Sequence, residues 1–401
     1  MARMPTPFPI AEEHFLLQQH FHALIDFWGS KRIPDHPGFH SLFDHQARNI
    51  LPQLENVLMQ GRLLYVFAEG IRAGHEQASE HARYLLALLP ERYRNDRGWY
   101  CSRYDGSFCN PHILDSYSNL FVVMGLARYH QATGDAWAGM EAWRLFRCIE
   151  TVCSNGALAD GGILGHNDEA DRLIGYFKSG TCMPKYSGNV LLHYLECLAR
   201  LQDAGLGEDL AQRAQQLRAL FLRHTYCQDH GCTVDYYDGG WDRYDLHRTG
   251  QLGHTMEWVD FFSSFPEARL PEALERRILD DAVRLGLRAN GIFQSNYYFR
   301  QRCCGGLTDF WMQPEATKVF NMAAGWYGEP YAEAALRCWR AYREFFIAPD
   351  GGVYYQIDGD GVIVNEIKGS AWKCDFHAIR MLADLNRFGI LHEHAVELKE
   401  H

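Results

Sequence analysis

The stretch RTGQLGHTMEW, residues 248–258, places a histidine and a glutamate three residues apart at the start of an apolar run. Side chains at positions i and i+3 share one face of a helix, so Glu257 can reach the ring of His254, or both can contact one ligand. An imidazole, with an ordinary pKa of about 6.5, is well suited to moving protons near neutral pH. Taken alone, the pair is equally consistent with a histidine packed inside a helical core.

Similar polar groupings recur in other apolar helical runs. The segment GNVLLHYLE, 188–196, repeats the spacing with His193 and Glu196. Neither segment has the HExxH pattern of zinc proteases, so the spacing does not predict a metal site. Two such pairs, each opening an apolar helix, indicate a shared polar pocket more strongly than either pair does alone.

Three further segments add charged and aromatic side chains to apolar surroundings. Arg62 lies within LMQGRLLYVF, and burying an unpaired guanidinium is costly, so it must have an ion partner or face a cavity. The segment DFWMQPEA, 309–316, combines Trp311 with Glu315, a pairing that suits a sugar but is also found at ordinary helix starts. The segment KGSAWKCDFHAIR, 368–380, contributes four candidates, which are Trp372, Lys373, His377 and Arg380.

The order of helical runs predicts a closed ring of helices. About twelve helices follow one another, mostly in pairs, with short loops within pairs and long aromatic loops between them. The strand signal is confined to these long loops and predicts short β-hairpins, for example around 96–109, 232–246 and 358–361. We find no linker and no fixed-period repeat, which favours one all-α domain over residues 1–401, an α/α toroid rather than an open solenoid.

The bulk composition excludes several classes of function. The 401 residues include 47% hydrophobic side chains and carry a formal charge of −11, which argues against a nucleic-acid partner. No run approaches the roughly 18 apolar residues needed to cross a membrane, and the N-terminus lacks a secretion signal, so we expect a cytoplasmic protein. The twelve cysteines include no CxxC pair, which indicates reduced thiols and no structural zinc.

Together these segments resemble the N-acylglucosamine 2-epimerase family. The segments LMQGRLLYVF, DSYSNLFVVMGLARYHQATGD, NVLLHYLECL, GHTMEW, FWMQPEA and KGSAWKCDFHAIR appear in the family's order between about residues 45 and 385. The resemblance implies an (α/α)6 barrel and an isomerase that acts at C2 of a free sugar. Such enzymes include cellobiose 2-epimerases and isomerases of mannose or sulfoquinovose. They need no cofactor or metal, and many form homodimers.

The resemblance also implies roles for individual residues. His254 and His377 look like the acid/base pair, Arg62 like the arginine that holds substrate oxygens, and Glu257 like the partner that orients a catalytic histidine. His193 matches a histidine of the cellobiose and mannose branches. The expected substrate-contacting residues are Tyr117, Asn189, Glu196, Trp311, Glu315, Trp372 and Arg380.

The expected chemistry follows from the weak acidity of the proton on C2. A base must remove this proton while a cation or hydrogen-bond donors stabilise the enediolate oxygens. Return of the proton to the opposite face of C2 gives an epimer, whereas return to C1 gives a ketose. Two alternatives stay open: an (α/α)6 glycoside hydrolase or lyase, which needs two carboxylates across the cleft, and a non-catalytic binding protein on the same fold.

Overall fold

A computed structural model gives the structure of residues 10–33, 38–167, 186–238, 240–242, 249–370 and 372–388. Within these ranges, twelve helices of ten or more residues alternate with irregular connections. They are α1 Ile10–Gly29, α2 Val57–Arg72, α3 Ala78–Leu88, α4 Ser116–Thr133, α5 Ala136–Cys153, α6 Gly188–Asp203, α7 Leu210–Leu220, α8 Leu252–Ser263, α9 Glu272–Asp281, α10 Met312–Tyr327, α11 Tyr331–Phe345 and α12 Phe376–Phe388.

The even-numbered helices form an inner ring and the odd-numbered helices an outer ring. Inner helices such as α2 and α4 are buried on nearly every face, because they pack against the ring on one side and the outer helices on the other. Outer helices such as α3 bury only one stripe of side chains. The inner helices therefore bury polar side chains such as Arg62, His193 and Arg380 together with their apolar residues, whereas the outer helices leave one polar face exposed.

The inner ring is closed. Each inner helix packs against the next, and α12 returns to α2, where the rings of Phe376 and Tyr65 lie 4.8 Å apart. The outer ring is closed by α1, whose His20 lies 3.0 Å from the hydroxyl of Tyr342 on α11. The predicted (α/α)6 barrel is therefore confirmed.

Two glycines allow the closest approach between inner helices. A Cβ added to Gly125 on α4 would lie 2.4 Å from the carbonyl oxygen of Gly61 on α2. Real Cβ atoms do not approach a carbonyl this closely, so the two backbones can touch here only because both positions lack side chains.

Helix α2 begins later than its sequence pattern predicts. The apolar periodicity of residues 49–72, with Pro52 placed for a first turn, predicts a helix from residue 49, but the helix starts at Val57. Asn56 caps it by accepting a hydrogen bond from the amide of Met59 at 3.1 Å. The preceding residues instead form strand β1, in which Glu55 is held by Arg92 through two hydrogen bonds of 2.8 Å.

All thirteen short strands of the described chain lie in the connections that lead from an outer helix to the next inner helix. These connections are long, whereas those from inner to outer helices are short, so the strands gather at the end of the barrel where the inner helices begin. The strands are β1 Leu54–Glu55, β2 Arg103–Tyr104, β3 Ser107–Phe108, β4 Tyr186–Ser187, β5 Tyr226–Cys227, β6 Cys232–Thr233, β7 Tyr236–Tyr237, β8 Thr249–Gln251, β9 Asn296–Tyr298, β10 Cys303–Cys304, β11 Thr308–Asp309, β12 Gln356–Ile357 and β13 Ile363–Asn365.

Two of the three predicted hairpins are confirmed. Strand β2 pairs with β3, and β12 pairs with β13, both antiparallel. In the segment 232–246, β6 and β7 do not pair with each other, because β6 pairs with β5 and β8, whereas β7 pairs with β4 in a separate sheet. Residues 239 and 243–246 of the predicted hairpin lie outside the described ranges. In the described part of the chain, no helix combines the length and hydrophobicity required to span a bilayer.

Candidate active site

The candidate site lies where the inner helices begin. Tyr117, Asn189, His254, Glu315 and His377 all stand in the first turn, or close to it, of five different inner helices. The first backbone N–H groups of a helix have no intrahelical acceptor and carry partial positive charge. This end of the barrel therefore favours negative charge on a bound molecule.

Direct contacts connect the predicted site residues into one cluster. Arg62 on α2 donates through Nη2 to the Tyr117 hydroxyl at 3.0 Å and through Nη1 to the carbonyl oxygen of Trp372. The Tyr117 ring lies 5.3 Å from His193, and the rings of His193 and His377 are 6.4 Å apart. Arg62 is 3% exposed and also packs on Phe121, 4.0 Å from the ring centre, so it is held from several sides.

Each of three histidines has a carboxylate on its Nδ1 atom. The Nδ1 of His193 lies 2.8 Å from Glu196, one turn further along α6. The Nδ1 of His377 lies 2.6 Å from Oε1 of Glu315 on the neighbouring inner helix α10. An ionised carboxylate can only accept hydrogen bonds, so Nδ1 carries the proton in each pair and Nε2 is left as the basic atom.

His254 has a partner that the sequence did not indicate. The spacing suggested Glu257, but the Nδ1 of His254 lies 2.7 Å from Asp235. Asp235 comes from the connection between β6 and β7, and its side chain is 26% exposed. No spacing rule links a loop aspartate to a histidine 19 residues later in the chain, and only the pairing of the strands on either side of the loop brings the two together.

Trp311 connects the two sides of the site. Its ring stacks on His254, with centroids 4.6 Å apart and an angle of 19°, and lies 6.3 Å from the ring of His377. Trp372 stands at the rim, is 57% exposed, and lies 6.0 Å from Tyr117. Asn189 lies beside the Tyr117 hydroxyl, and its buried Oδ1 has no hydrogen-bond partner in the described part of the chain.

Arg380 joins the carboxylates beneath the histidines. Its Nη1 lies 3.0 Å from Glu196 and 3.1 Å from Glu315, and its Nη2 lies 3.6 Å from Asp260. Asp260 also forms an ion pair with Lys318. The guanidinium is 2% exposed, so we interpret Arg380 as the group that fixes the carboxylates rather than as a direct substrate contact.

Burial sets the protonation of the deep histidines. Desolvation lowers the pKa of His377 well below its ordinary value, and the positive charges of Arg62 and Arg380 lower it further. Desolvation also lowers the pKa of His193, although Glu196 opposes this shift. Burial alone would raise the pKa of Glu196, but Arg380 and His193 outweigh it, so Glu196 stays ionised. Both imidazoles are therefore neutral near pH 7 and can accept a proton.

Three buried side chains of the described residues come closest to a metal-binding arrangement. One ligand atom each of Glu257, Glu315 and His377 lies within 4.8 Å of the others. However, Oε1 of Glu315 already accepts from His377 and pairs with Arg380. Because the guanidinium would repel a cation, we do not assign a metal to these residues.

The chain resembles known proteins over most of its length. The family model for N-acylglucosamine 2-epimerase (GlcNAc 2-epimerase) matches residues 38–380. A cellobiose 2-epimerase from Ruminococcus albus is 23% identical over 393 residues, covering 92% of this chain and 96% of that protein.

Two solved structures support the same fold. A cellobiose 2-epimerase from Bacillus thermoamylovorans superposes with a TM-score of 0.79 at 18% identity, covering 93% of this chain and 99% of that one. A D-mannose isomerase superposes with a TM-score of 0.81 at 17% identity, covering 96% and 100%.

Proposed function

The chain belongs to the N-acylglucosamine 2-epimerase family, and from this premise we propose that it acts at C2 of a free sugar with His254 and His377 as the acid/base pair. It is a carbohydrate epimerase or isomerase. The observation that carries the finer proposal is that both imidazoles have their Nδ1 atom bonded to a carboxylate. Each ring therefore presents Nε2 as the proton-transferring atom.

The proposed reaction begins with the open-chain sugar between the two histidines. One imidazole removes the proton from C2, and the electron pair moves toward the C1 carbonyl to form an enediolate. The other imidazole, in its protonated form, returns a proton to the opposite face of C2 or to C1. The carboxylate on Nδ1 stabilises the imidazolium formed in each step.

Stabilisation of the enediolate is assigned to Arg62 and to the helix starts. Arg62 is anchored by the Tyr117 hydroxyl and the Trp372 carbonyl, so its charge cannot move away as the substrate becomes negative. The N-termini of the inner helices add fixed positive potential at the same end of the barrel. Such pre-oriented groups stabilise a developing charge without having to reorganise.

We assign ring opening to His193. It is the third imidazole with its own carboxylate, and it lies between Tyr117 and His377. A group that transfers a proton between the ring oxygen and the C1 hydroxyl is needed before C2 can react. His193 is close enough to the proposed base to serve the same bound sugar.

The substrate class follows from the aromatic rim and from the relatives. Trp372 and Trp311 offer ring faces on which the apolar face of a sugar can stack. The relatives and neighbours described above are named for cellobiose epimerisation and D-mannose isomerisation. We therefore propose a neutral aldose or a β-linked disaccharide with a free reducing end. A cytoplasmic location and a homodimer stay predictions.

Glycoside hydrolysis fits these residues less well. It needs one carboxyl group as acid and another as nucleophile or base across the scissile bond. Here Asp235, Glu196 and Glu315 are each bonded to an imidazole, and two of them also pair with Arg380.

The proposal is tested by proton NMR in deuterated water. The protein is incubated separately with mannose, glucose, N-acetylglucosamine, N-acetylmannosamine and cellobiose. Deuterium at C2 of one sugar would support enediolate chemistry, and the product would identify the epimerase or the isomerase branch. If the folded protein places no deuterium at C2 of any sugar in the panel, the proposed function is overturned.

A further inference from the structure

Glu257 is a deeply buried carboxyl group that forms no ion pair with the described residues. It lies on α8 one turn after His254 and is 1% exposed, and its Oε1 has no hydrogen-bond partner within the described ranges. No ion pair involves Glu257 among the described residues, because Arg380 is engaged with Glu196 and Glu315, and Lys318 with Asp260. An isolated buried carboxylate is costly, so such a group usually takes up a proton.

The neighbour of Glu257 has a matching vacant acceptor. Glu315 uses Oε1 for His377 and Arg380, but its buried Oε2 has no hydrogen-bond partner among the residues that the structure describes. Carboxyl oxygens of Glu257 and Glu315 lie within 4.8 Å of each other and of a ring nitrogen of His377. Two charged carboxylates this close repel each other, whereas a proton on one of them removes the repulsion and allows the two groups to approach to hydrogen-bond distance.

The charged and titratable groups around Glu257 come from four inner helices besides its own. Two of these groups, Lys318 and Arg380, are cations, and both already pair with other carboxylates. The titratable and charged groups facing Glu257 are Tyr117 on α4, Glu196 on α6, Glu315 and Lys318 on α10, and His377 and Arg380 on α12.

We propose that Glu257 is a neutral carboxylic acid that donates a hydrogen bond to Oε2 of Glu315, so that a single negative carboxylate serves His377. Glu257 is then a positioning residue that keeps its proton throughout the reaction. The inference rests on the proposed function only for its effect on catalysis.

The electrostatics of the cluster agree with this assignment. Burial raises the pKa of Glu257 well above its ordinary value, and the charge of Glu315 raises it further. A second negative carboxylate would hold a proton on His377, and a protonated imidazole cannot remove the C2 proton. The neutral Glu257 therefore orients Glu315 without making His377 too basic.

The matched variants are Glu257→Leu, Glu257→Gln and Glu315→Gln. Leu removes the donor, and we expect C2 exchange to slow at least about tenfold. Glutamine keeps a neutral hydrogen-bond donor at this position. The C2 exchange rate of Glu257→Gln should therefore lie much closer to that of the wild type than the rate of Glu257→Leu does. Glu315→Gln removes the needed charge and should slow exchange at least about 100-fold. Equal losses in Glu257→Gln and Glu315→Gln would overturn the proposal.

Infrared spectroscopy tests the protonation itself, independently of any sugar. The wild-type protein, labelled with ¹³C-glutamate, should show at neutral pH an isotope-shifted C=O band of a protonated glutamic acid, which is absent from Glu257→Gln. If the variants do not fold, the labelled wild type can still overturn the proposal. A wild-type spectrum without a protonated glutamic acid would overturn the proposal, whereas absence of exchange with every sugar would overturn the proposed function alone.

Discussion

His254 and His377 have the same hydrogen bond on Nδ1 but obtain it from different parts of the fold. His377 uses Glu315, a carboxylate that is 1% exposed and lies on the adjacent inner helix. His254 uses Asp235, which lies on a connection between two short strands and is 26% exposed. One side of the site is thus built from packed helices, and the other side depends on a loop.

The difference separates two physical tasks. The buried side fixes a neutral imidazole, because desolvation and two guanidinium groups disfavour its charged form. The loop side keeps its carboxylate in contact with solvent, where reorganisation is easier and the loss of one charge costs less. The two sides of the site therefore differ in how strongly burial acts on the pair of histidine and carboxylate.

The largest expected effect comes from removing either histidine. His254→Ala and His377→Ala should each slow interconversion of the two sugars by about 10²- to 10⁴-fold, because each removes a proton-transferring group. The rate is measured by NMR with the sugar identified in the panel, and circular dichroism checks that the fold is intact. A wild-type rate in either variant would remove that histidine from the mechanism.

Arg62→Lys should slow the reaction in both directions, because Arg62 belongs neither to the His254 side nor to the His377 side of the site. Lysine keeps the charge but lacks the fork that contacts the Tyr117 hydroxyl and the Trp372 carbonyl together. We expect a loss of about 100-fold in kcat/KM, of the size seen when one enediolate- or oxyanion-stabilising donor is removed. The loss should be the same from either starting sugar. A near-normal rate would mean that Arg62 is structural.

The two carboxylates should differ in their effect on stability. Glu315→Gln removes one of the carboxylates that neutralise the buried guanidinium of Arg380. This change should lower the free energy of unfolding by about 3 kcal/mol. Asp235→Asn acts on a partly exposed pair and should cost less than about 1 kcal/mol. Urea denaturation of both variants measures the contrast. Equal losses of stability would contradict the division into a buried and a loop-borne side.

The smallest expected effect is on the pH dependence of stability. The folded protein holds His377 with a lowered pKa, so the unfolded chain binds more protons as the pH falls below about 6.5. The stability due to the neutral imidazole is therefore present above that pH and is lost as the pH decreases. In His377→Gln the free energy of unfolding should decline less over this window. An unchanged decline would show that His377 does not titrate with a lowered pKa.

The fold was predictable because the helical periodicity is strong and the loops alternate in length. Pairs of helices with a closed arrangement follow from that pattern, and the structure confirms them. The start of α2 was missed because β1 pairs with β2, a contact some fifty residues away in the chain. The pairing of β6 and β7 with different sheets has no local signal either.

The contacts of the candidate site that lie within one helix could be predicted from the sequence. The contact that a loop residue makes could not. His193 and Glu196 share a helix face, so their contact follows from spacing alone. Glu257 obeys the same spacing relative to His254, yet it turns toward Glu315 and His377. Asp235, and not Glu257, is the carboxylate on Nδ1 of His254. The strand pairing that positions the Asp235 loop beside His254 has no signal in the sequence.

The most direct test of the two-histidine mechanism is C2 proton exchange from each sugar separately in deuterated water, with wild type, His254→Ala and His377→Ala. We expect wild type to exchange both partners of the reaction. Each variant should fail to interconvert them, and any exchange that it retains should be confined to one partner, a different one for each variant. Interconversion of both sugars at the wild-type rate by either variant would contradict the account.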